Sequence, residues 1–368
     1  MEPFVPHPLP PKNLDYGRLI GLVGRANAEL ARYDGLLQGV VNPAVLLSPL
    51  TTQEAVLSSK IEGTQATLDE VLEHEAGQSF SPEKDQDIRE VVNYRTALLT
   101  ATAELAHRQL SLSLVKEMHQ MLMDSVRGAN KEPGSFRLDQ NWIGRPGCTM
   151  AEATFVPPSP LQLLDHLEAW ERYLAFDDVD RMVQTAVVHA QFELIHPFKD
   201  GNGRIGRLLI PLFLYSKKAL SRPMFYLSGY LETHRDEYYT RLRAISQEGD
   251  WDGWIGFFLE AVIAQALDNA EKVRNILALY EAMKVQVAKV THSQYAIAAL
   301  DAIFDRPVFR TSDFAARSGI PTRQTAMLIL RQLQQSGILK TLQEASGQRP
   351  ATLIFPALMN LAEGRRVV

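Results

Sequence analysis

The sequence predicts a mainly α-helical protein with two small β features, a mid-chain hairpin and a C-terminal wing. Three observations carry this. Apolar residues recur at helical spacing over most of the 368 residues. Segment 127–160 breaks that pattern with a run of Gly and Pro. Two strand-like pieces, ILKTLQ and ATLIF, flank the turn signal Ser346-Gly347 near the C-terminus.

In chain order, the Pro-rich residues 1–12 read as an extended arm. Asn13 is the expected cap of a helix running to about Gln38, with Leu14, Leu19, Leu22 and Ala26 at helical spacing. A second helix is expected over about Thr52–Glu75. A third opens at Ser81 (cap), Pro82 and Glu83. Ser111 or Ser113 caps a fourth, through Met121. After the irregular 127–160 segment, with its one small hairpin, helices follow at 161–176, 180–195, 202–218, 234–247 and 251–289. Residues 295–304 form another helix. Thr311-Ser312-Asp313 caps a short one, and Pro321 opens the next, which Gly337 stops. Helix, helix-turn-helix and then a hairpin is the order of a winged helix. The expected division is 1–90 as an N-terminal helical region, 91–290 as a catalytic core with a connecting helix, and 291–368 as the winged-helix unit.

Composition narrows the function class. The net charge is −5, yet residues 291–368 carry nine Lys+Arg against five Asp+Glu. An acidic body therefore precedes a mildly basic tail. The single cysteine, Cys148, excludes an intramolecular disulfide framework and a multi-cysteine zinc site. The start MEPFVPHPLPPK has no apolar signal-peptide core, and no apolar run approaches the ~20 residues of a membrane span. The expectation is a cytoplasmic protein without membrane contact. DNA binding through Arg323, Gln324 and Arg331 competes with a structural, dimerising or target-docking role for the tail. The modest charge favours the latter.

The chemistry concentrates in His196-Pro197-Phe198-Lys199-Asp200-Gly201-Asn202-Gly203-Arg204-Ile205-Gly206-Arg207. Gly201 and Gly203 allow a tight turn with close backbone approach. The turn feeds a helix N-terminus, whose free N–H groups attract anions. Arg204 and Arg207 are i, i+3 and share one face of that helix. Two guanidinium groups beside such a nest form a polyphosphate cradle. Asp200 sits at its mouth, where a carboxylate can hold Mg²⁺ against phosphate oxygens. His196 lies just upstream, where an imidazole can act as a general base. His189, Glu193 and His196 lie on successive turns but lack helical zinc spacing and a third ligand, so packing or orienting roles are expected. Trp142 is expected in the core.

This segment resembles the signature of the Fic (Fic/Doc, Fido) family, His-x-Phe-x-Asp/Glu-Gly-Asn-Gly-Arg-x-x-Arg, at every fixed position. The resemblance extends over about residues 45–260. Pro133–Arg137, Asn141–Gly144 and Phe155–Pro158 look like the family's substrate-positioning flap. Leu227–Leu231 and Tyr238-Tyr239 look like the base-binding side of its nucleotide pocket. The resemblance implies a Fic-type helical core and transfer of AMP from ATP to a Ser, Thr or Tyr hydroxyl of a target protein, or of the enzyme itself, with release of pyrophosphate. It implies His196 as base, Asp200 as Mg²⁺ ligand, and Gly201, Asn202, Gly203, Arg204, Ile205, Gly206 and Arg207 as the nucleotide-binding run. Tyr239 is a candidate base contact, against a packed helix tyrosine. A homodimer is a further implication.

Ser58-Ser59-Lys60-Ile61-Glu62-Gly63 places Ser58 and Glu62 at i, i+4 on one helix face. It resembles the family's inhibitory motif, Ser/Thr-x-x-x-Glu-Gly/Asn. That resemblance implies that Glu62 pairs with Arg207 at the site of the γ-phosphate and holds the enzyme inactive. Two alternatives stand beside an autoinhibited adenylyltransferase. One is a DNA-binding regulator that senses nucleotide; the other is a Fic enzyme that uses another donor or removes AMP.

Overall fold

A computed structural model describes every residue except Met1, Ala129, Pro146, Gln348, Arg365, Val367 and Val368. Ala129 and Pro146 of the irregular segment and Gln348 of the expected wing therefore lie outside the described residues. Helix α1 spans Tyr16–Gln38. Asn13 adopts φ 63° and does not cap it. Asp15 does, its Oδ1 accepting from the Arg18 N–H at 3.1 Å. The expected single helix over 52–75 is two pieces, α3 (Ser48–Ile61) and α4 (Leu68–Glu75), preceded by the short α2 (Pro43–Leu46). Gly63 at φ 98° reverses the chain after α3. Thr67 then restarts it through a capping box with Glu70. Helix α5 (Pro82–Glu104) starts at Ser81, as expected from its punctuation, and Ser111 caps α6 (Leu112–Leu122).

Among the described residues of the irregular segment the hairpin reduces to one antiparallel bridge, Ile143↔Phe155, beside a 3₁₀ turn at Met150–Glu152. Helices α7 (Leu163–Ala175), α8 (Arg181–Ile195), α9 (Asn202–Ser216), α10 (Ser228–Thr233), α11 (Arg235–Glu248) and α12 (Trp251–Thr291) follow. The C-terminal segment runs α13 (Ala296–Asp305), β1 (Val308–Arg310), α14 (Thr311–Ser318), α15 (Arg323–Gln335), β2 (Lys340–Gln343), β3 (Thr352–Ile354) and α16 (Pro356–Glu363). The strands form an antiparallel sheet in the order β1-β3-β2. Strand β1 and helix α16 carry too few residues for periodicity to announce them.

The chain gathers into two compact units. One holds Met1–Gly35, Leu57–Thr64 and Asn93–Leu267; the other holds Leu36–Val56, Gln65–Val92 and Asp268–Val368. The core of the first is built around α8 and α9. Thirteen of the fifteen residues of α8 are buried, and Trp170 and Trp254 donate to its Val188 and Ala186 carbonyls at 2.9 Å each. In the second, Leu68, Leu72 and Ala76 of α4 pack on Val308, Ile354, Met359 and Ala362. No helix among the described residues is long and apolar enough to cross a membrane.

Candidate active site

Asp180 caps α8 by accepting from the Met182 and Val183 N–H groups at 2.8 and 3.0 Å. The helix ends on His196, which takes the left-handed conformation (φ 50°, ψ 61°) as its C-cap. That conformation is uncommon for a side chain with a Cβ. His196 Nδ1 lies 3.3 Å from the Glu193 carbonyl, to which it can only donate. Nε2 is then the free proton acceptor. Burial pushes the imidazole down to about 4, aided by the Arg137 charge and opposed by the Glu193 carbonyl and Glu62. The ring is neutral at physiological pH, the state a base requires.

The turn after His196 is closed by side chains. Asn202 accepts from the Phe198 N–H and donates to the Phe198 carbonyl, both at 2.8 Å. His119 stacks on the Phe198 ring with centroids 3.7 Å apart and planes at 4°. Its Nδ1 accepts from the Gly134 N–H at 2.9 Å, so the proton sits on Nε2, which donates to the Asp200 carbonyl at 3.0 Å. Burial lowers His119 to about 4. Gly201 caps α9 at φ 77°, and a Cβ there would stand 3.0 Å from the Met123 sulfur. Asp200 Oδ1 accepts from the Gly201 N–H at 2.6 Å, and its side chain is 45 % exposed.

Arg204 and Arg207 are buried at the start of α9. Arg207 Nε donates to Ser58 Oγ at 2.9 Å, and Nη2 donates to the Ser58 carbonyl at 3.0 Å and to Glu62 Oε1 at 2.6 Å. A Cβ on Gly203 would stand 2.2 Å from Glu62 Oε1 and 3.0 Å from Arg207 Nη1. The Glu62 carboxylate therefore lies against the first turn of α9, an anion in the cradle. Burial would raise the Glu62 pKa, but the charge and hydrogen bond of Arg207 outweigh it, and the carboxylate is held below its ordinary range. Lys60 pairs with Glu232 of α10 at 2.9 Å, a second clasp on the same turn.

Behind this face, Ile205 is core. Gly206 leaves room for Glu193 Oε1, which would be 2.2 Å from a Cβ there. His189 binds the Gly206 carbonyl at 2.9 Å and the Tyr238 hydroxyl at 3.0 Å, so both of its nitrogens are engaged in hydrogen bonds. Tyr239 is half-buried, its ring 5.1 Å from that of Tyr238 and 5.6 Å from the Arg235 guanidinium. Burial and the Glu62 charge push its hydroxyl up to about 12, which places it in the field of the same site.

Residues 139–158 run alongside. Asn141 Nδ2 donates to the Phe198 carbonyl at 3.2 Å, and Gln140 Nε2 to the Pro157 carbonyl at 2.9 Å. Lys199 reaches Glu132 at 2.6 Å and Asp139 at 3.1 Å. Trp142 is 42 % exposed, not in the core; its indole N–H donates to the Cys148 carbonyl at 2.9 Å. A single bridge leaves no second layer to cover it. Phe4 of the N-terminal arm donates its N–H to the Val156 carbonyl at 2.9 Å, anchoring the arm beside this segment.

Two family profiles match the sequence: Fic/DOC family N-terminal over residues 20–103, and Fic/DOC family over residues 109–214. The chain belongs to the Fic/DOC family. Among curated relatives, protein adenylyltransferase fic-1 of Caenorhabditis elegans is 29 % identical over 149 residues, 38 % of this chain and 27 % of the nematode protein. Probable protein adenylyltransferase aq_aa38 of Aquifex aeolicus is 28 % identical over 185 residues, 48 % of this chain and 51 % of the relative. The matches thus span from about a quarter to about half of these relatives' length. Among solved structures, a Fic family protein from Desulfovibrio desulfuricans G20 shares the fold at a TM-score of 0.61, with 21 % identity, covering 94 % of this chain and 98 % of the other. Fic-1 (residues 134–508) from C. elegans gives a TM-score of 0.54 and 21 % identity, over 69 % and 71 % of the two chains.

The Fic/DOC signature residues converge as their spacing predicts, and Glu62 reaches Arg207 across 145 positions. His119 is not singled out in the sequence, and Arg137 is named there only within the flap-like run Pro133–Arg137. His119 lies 81 positions from the carbonyl it holds. A buried histidine on a helix face carries no local sign of such a partner.

Proposed function

We propose that this Fic/DOC chain is an autoinhibited protein adenylyltransferase that moves AMP from ATP to a Ser, Thr or Tyr hydroxyl of a target protein or of itself. The observation that carries the reading is the Glu62 carboxylate, bound by Arg207 over Gly203 at the start of α9. A carboxylate seated there marks where phosphate oxygens would sit. The printed names of the curated relatives support the same activity.

In this reading, His196 Nε2 takes the proton of the target hydroxyl. The hydroxyl oxygen attacks the α-phosphorus, the bond to the bridging oxygen breaks, and pyrophosphate leaves. The N–H groups at Gly201, Asn202 and Gly203 hold the α-phosphate oxygens, and Arg204 and Arg207 hold the β- and γ-phosphates. This is positioning and charge stabilisation without a covalent enzyme intermediate. No group of three His, Cys, Asp or Glu that could hold a metal occurs among the described residues. Asp200 offers one part-exposed carboxylate. One carboxylate plus phosphate oxygens is a donor set that suits Mg²⁺, which when bound neutralises phosphate charge. Tyr239, whose hydroxyl feels the Glu62 charge, is the candidate contact for the base. With Glu62 in place, Arg207 is unavailable to the γ-phosphate, so activation requires the 58–64 turn to release it.

The test is intact-mass spectrometry of wild type, Glu62→Gly and His196→Ala after incubation with ATP and Mg²⁺. The expected result is a gain of about one AMP (roughly 329 Da, from donor chemistry of this kind) on Glu62→Gly. The gain should be smaller on wild type and absent on His196→Ala. Equal labelling of wild type and Glu62→Gly would refute the inhibitory role.

A further inference from the structure

Arg137 is 1 % exposed, and no carboxylate pairs with it among the described residues. Its donors all go to main-chain carbonyls. Nε donates to His196 at 3.0 Å and Nη1 to Asp139 at 3.2 Å. Nη2 donates to Pro158 at 2.6 Å and more weakly to Ile195 at 3.5 Å. Its own N–H donates to the Pro197 carbonyl at 2.9 Å. Burial lowers it to about 10, so it remains charged at neutral pH. A buried guanidinium without a carboxylate carries a large desolvation penalty. A methionine would fill the same volume without that penalty.

The carbonyls it gathers explain why a guanidinium stands there. Ile195 and His196 form the C-terminal end of α8, where carbonyls lack helical partners and the helix dipole is negative. Asp139 and Pro158 are the two ends of the segment that carries the Ile143↔Phe155 bridge. One rigid fork therefore joins both ends of that segment to the backbone of a histidine held in an uncommon conformation.

We propose that Arg137 is a positioning residue that locks both legs of the 139–158 segment to the backbone of His196, so that the segment and the base are set together. This rests on the adenylyltransferase reading for its kinetic consequence, but not for its structural one. The groups facing His196 are few. Arg137 approaches from the preceding loop and Glu62 from the turn after α3. Glu193 belongs to α8 itself, and burial raises its carboxyl to about 8, so it is mostly neutral at pH 7. Helix α9 contributes Arg204 and Arg207, which act on Glu62.

Two variants separate charge from geometry. Arg137→Lys keeps the charge and loses the fork. Arg137→Gln loses the charge. The first readout is NMR of ¹³C-labelled histidine rings in the full chain, with His196 assigned by the resonance missing from His196→Ala. In wild type His196 should stay neutral on acidification to pH 5. In Arg137→Gln its protonation should begin at a pH higher by about half a unit or more, and in Arg137→Lys it should begin near the wild-type pH. The second readout is AMP transfer in the Glu62→Gly background. Both variants should lower kcat at least about tenfold while ATP binding by calorimetry changes less than about twofold. An unmoved His196 titration in Arg137→Gln, or wild-type kcat in Arg137→Lys, would overturn the proposal. So would a loss confined to ATP binding and thermal stability. If the Glu62→Gly parent transfers no AMP, the reading of the reaction fails, and the NMR titration still decides whether Arg137 acts on His196.

Discussion

Between His196 and Gly203 the chain is held from inside. Asn202 bonds both polar groups of Phe198, His119 holds the Asp200 carbonyl, and Phe198 is fully buried beneath its stacked histidine. Among the described residues between Asp139 and Pro158 the chain has one antiparallel bridge, local turns and a few side-chain bonds, with Leu138, Trp142 and Ile143 at 82, 42 and 39 % exposure beside it or within it. Both regions adjoin His196. On the proposed function the contrast fits two jobs. Orienting phosphate oxygens needs N–H groups fixed to within tenths of an ångström, which a closed hydrogen-bond network provides. Receiving another polypeptide needs apolar side chains and backbone groups left available.

The largest test of this contrast is His196→Ala. Loss of a general base should lower AMP transfer by about 10²–10⁴, read as the rate of mass gain; an unchanged rate would place the chemistry outside the turn. Next, Glu62→Gly should raise transfer by about 10- to 100-fold, the value of a charge-assisted bond of about 1.5–3 kcal/mol.

Acid should act on the closed region. His119, His189 and His196 sit at about 4, 3 and 4, against the ordinary 6.5. The unfolded chain takes up their protons near 6.5 and the folded chain does not. Stability is then full above about pH 6.5 and falls as pH drops toward 4. Melting temperatures measured from pH 7 to 4.5 should decline, and His119→Gln should flatten the decline. A slope unchanged by His119→Gln would show that this histidine is protonated in the folded state.

Asn202→Ala should destabilise the fold by about 2 kcal/mol, because it strands the buried Phe198 amide and carbonyl. Ile143→Ala should stay within about 0.5 kcal/mol yet reduce modification of a target protein. Equal melting shifts for the two would erase the distinction between the regions. The smallest effect belongs to Lys60→Ala. Its pair with Glu232 is half-exposed, so basal transfer should rise by no more than about two- to fivefold.

Much of the closed region was legible in the chain. The run His196–Arg207 names its own turn, its helix and both arginines, because each of those features is local. The Ser58–Glu62 spacing was legible only together with that run. The single helix expected over 52–75 was not borne out, since the reversal at Gly63 and the restart at Thr67 lie inside an unbroken apolar rhythm. The expected hairpin shrank to one bridge. Turn signals at 127–160 announce irregular backbone without stating how many hydrogen bonds cross it. Trp142 was expected inside and lies partly outside, in irregular backbone next to an isolated bridge.

The sequence by itself determined the helical class and the turn and two arginines at the start of α9, and it singled out His196 as the proposed base, since these depend on residues within a few turns of one another. Tertiary structure brought Glu62 to Arg207, the pair the resemblance implied, and decided which carbonyls receive Arg137 and which tautomer His119 adopts. Those are pairings across 145, up to 59 and 81 positions. They exist because burial removes water as a competitor, so each donor must find whatever acceptor the packing brings within 3 Å.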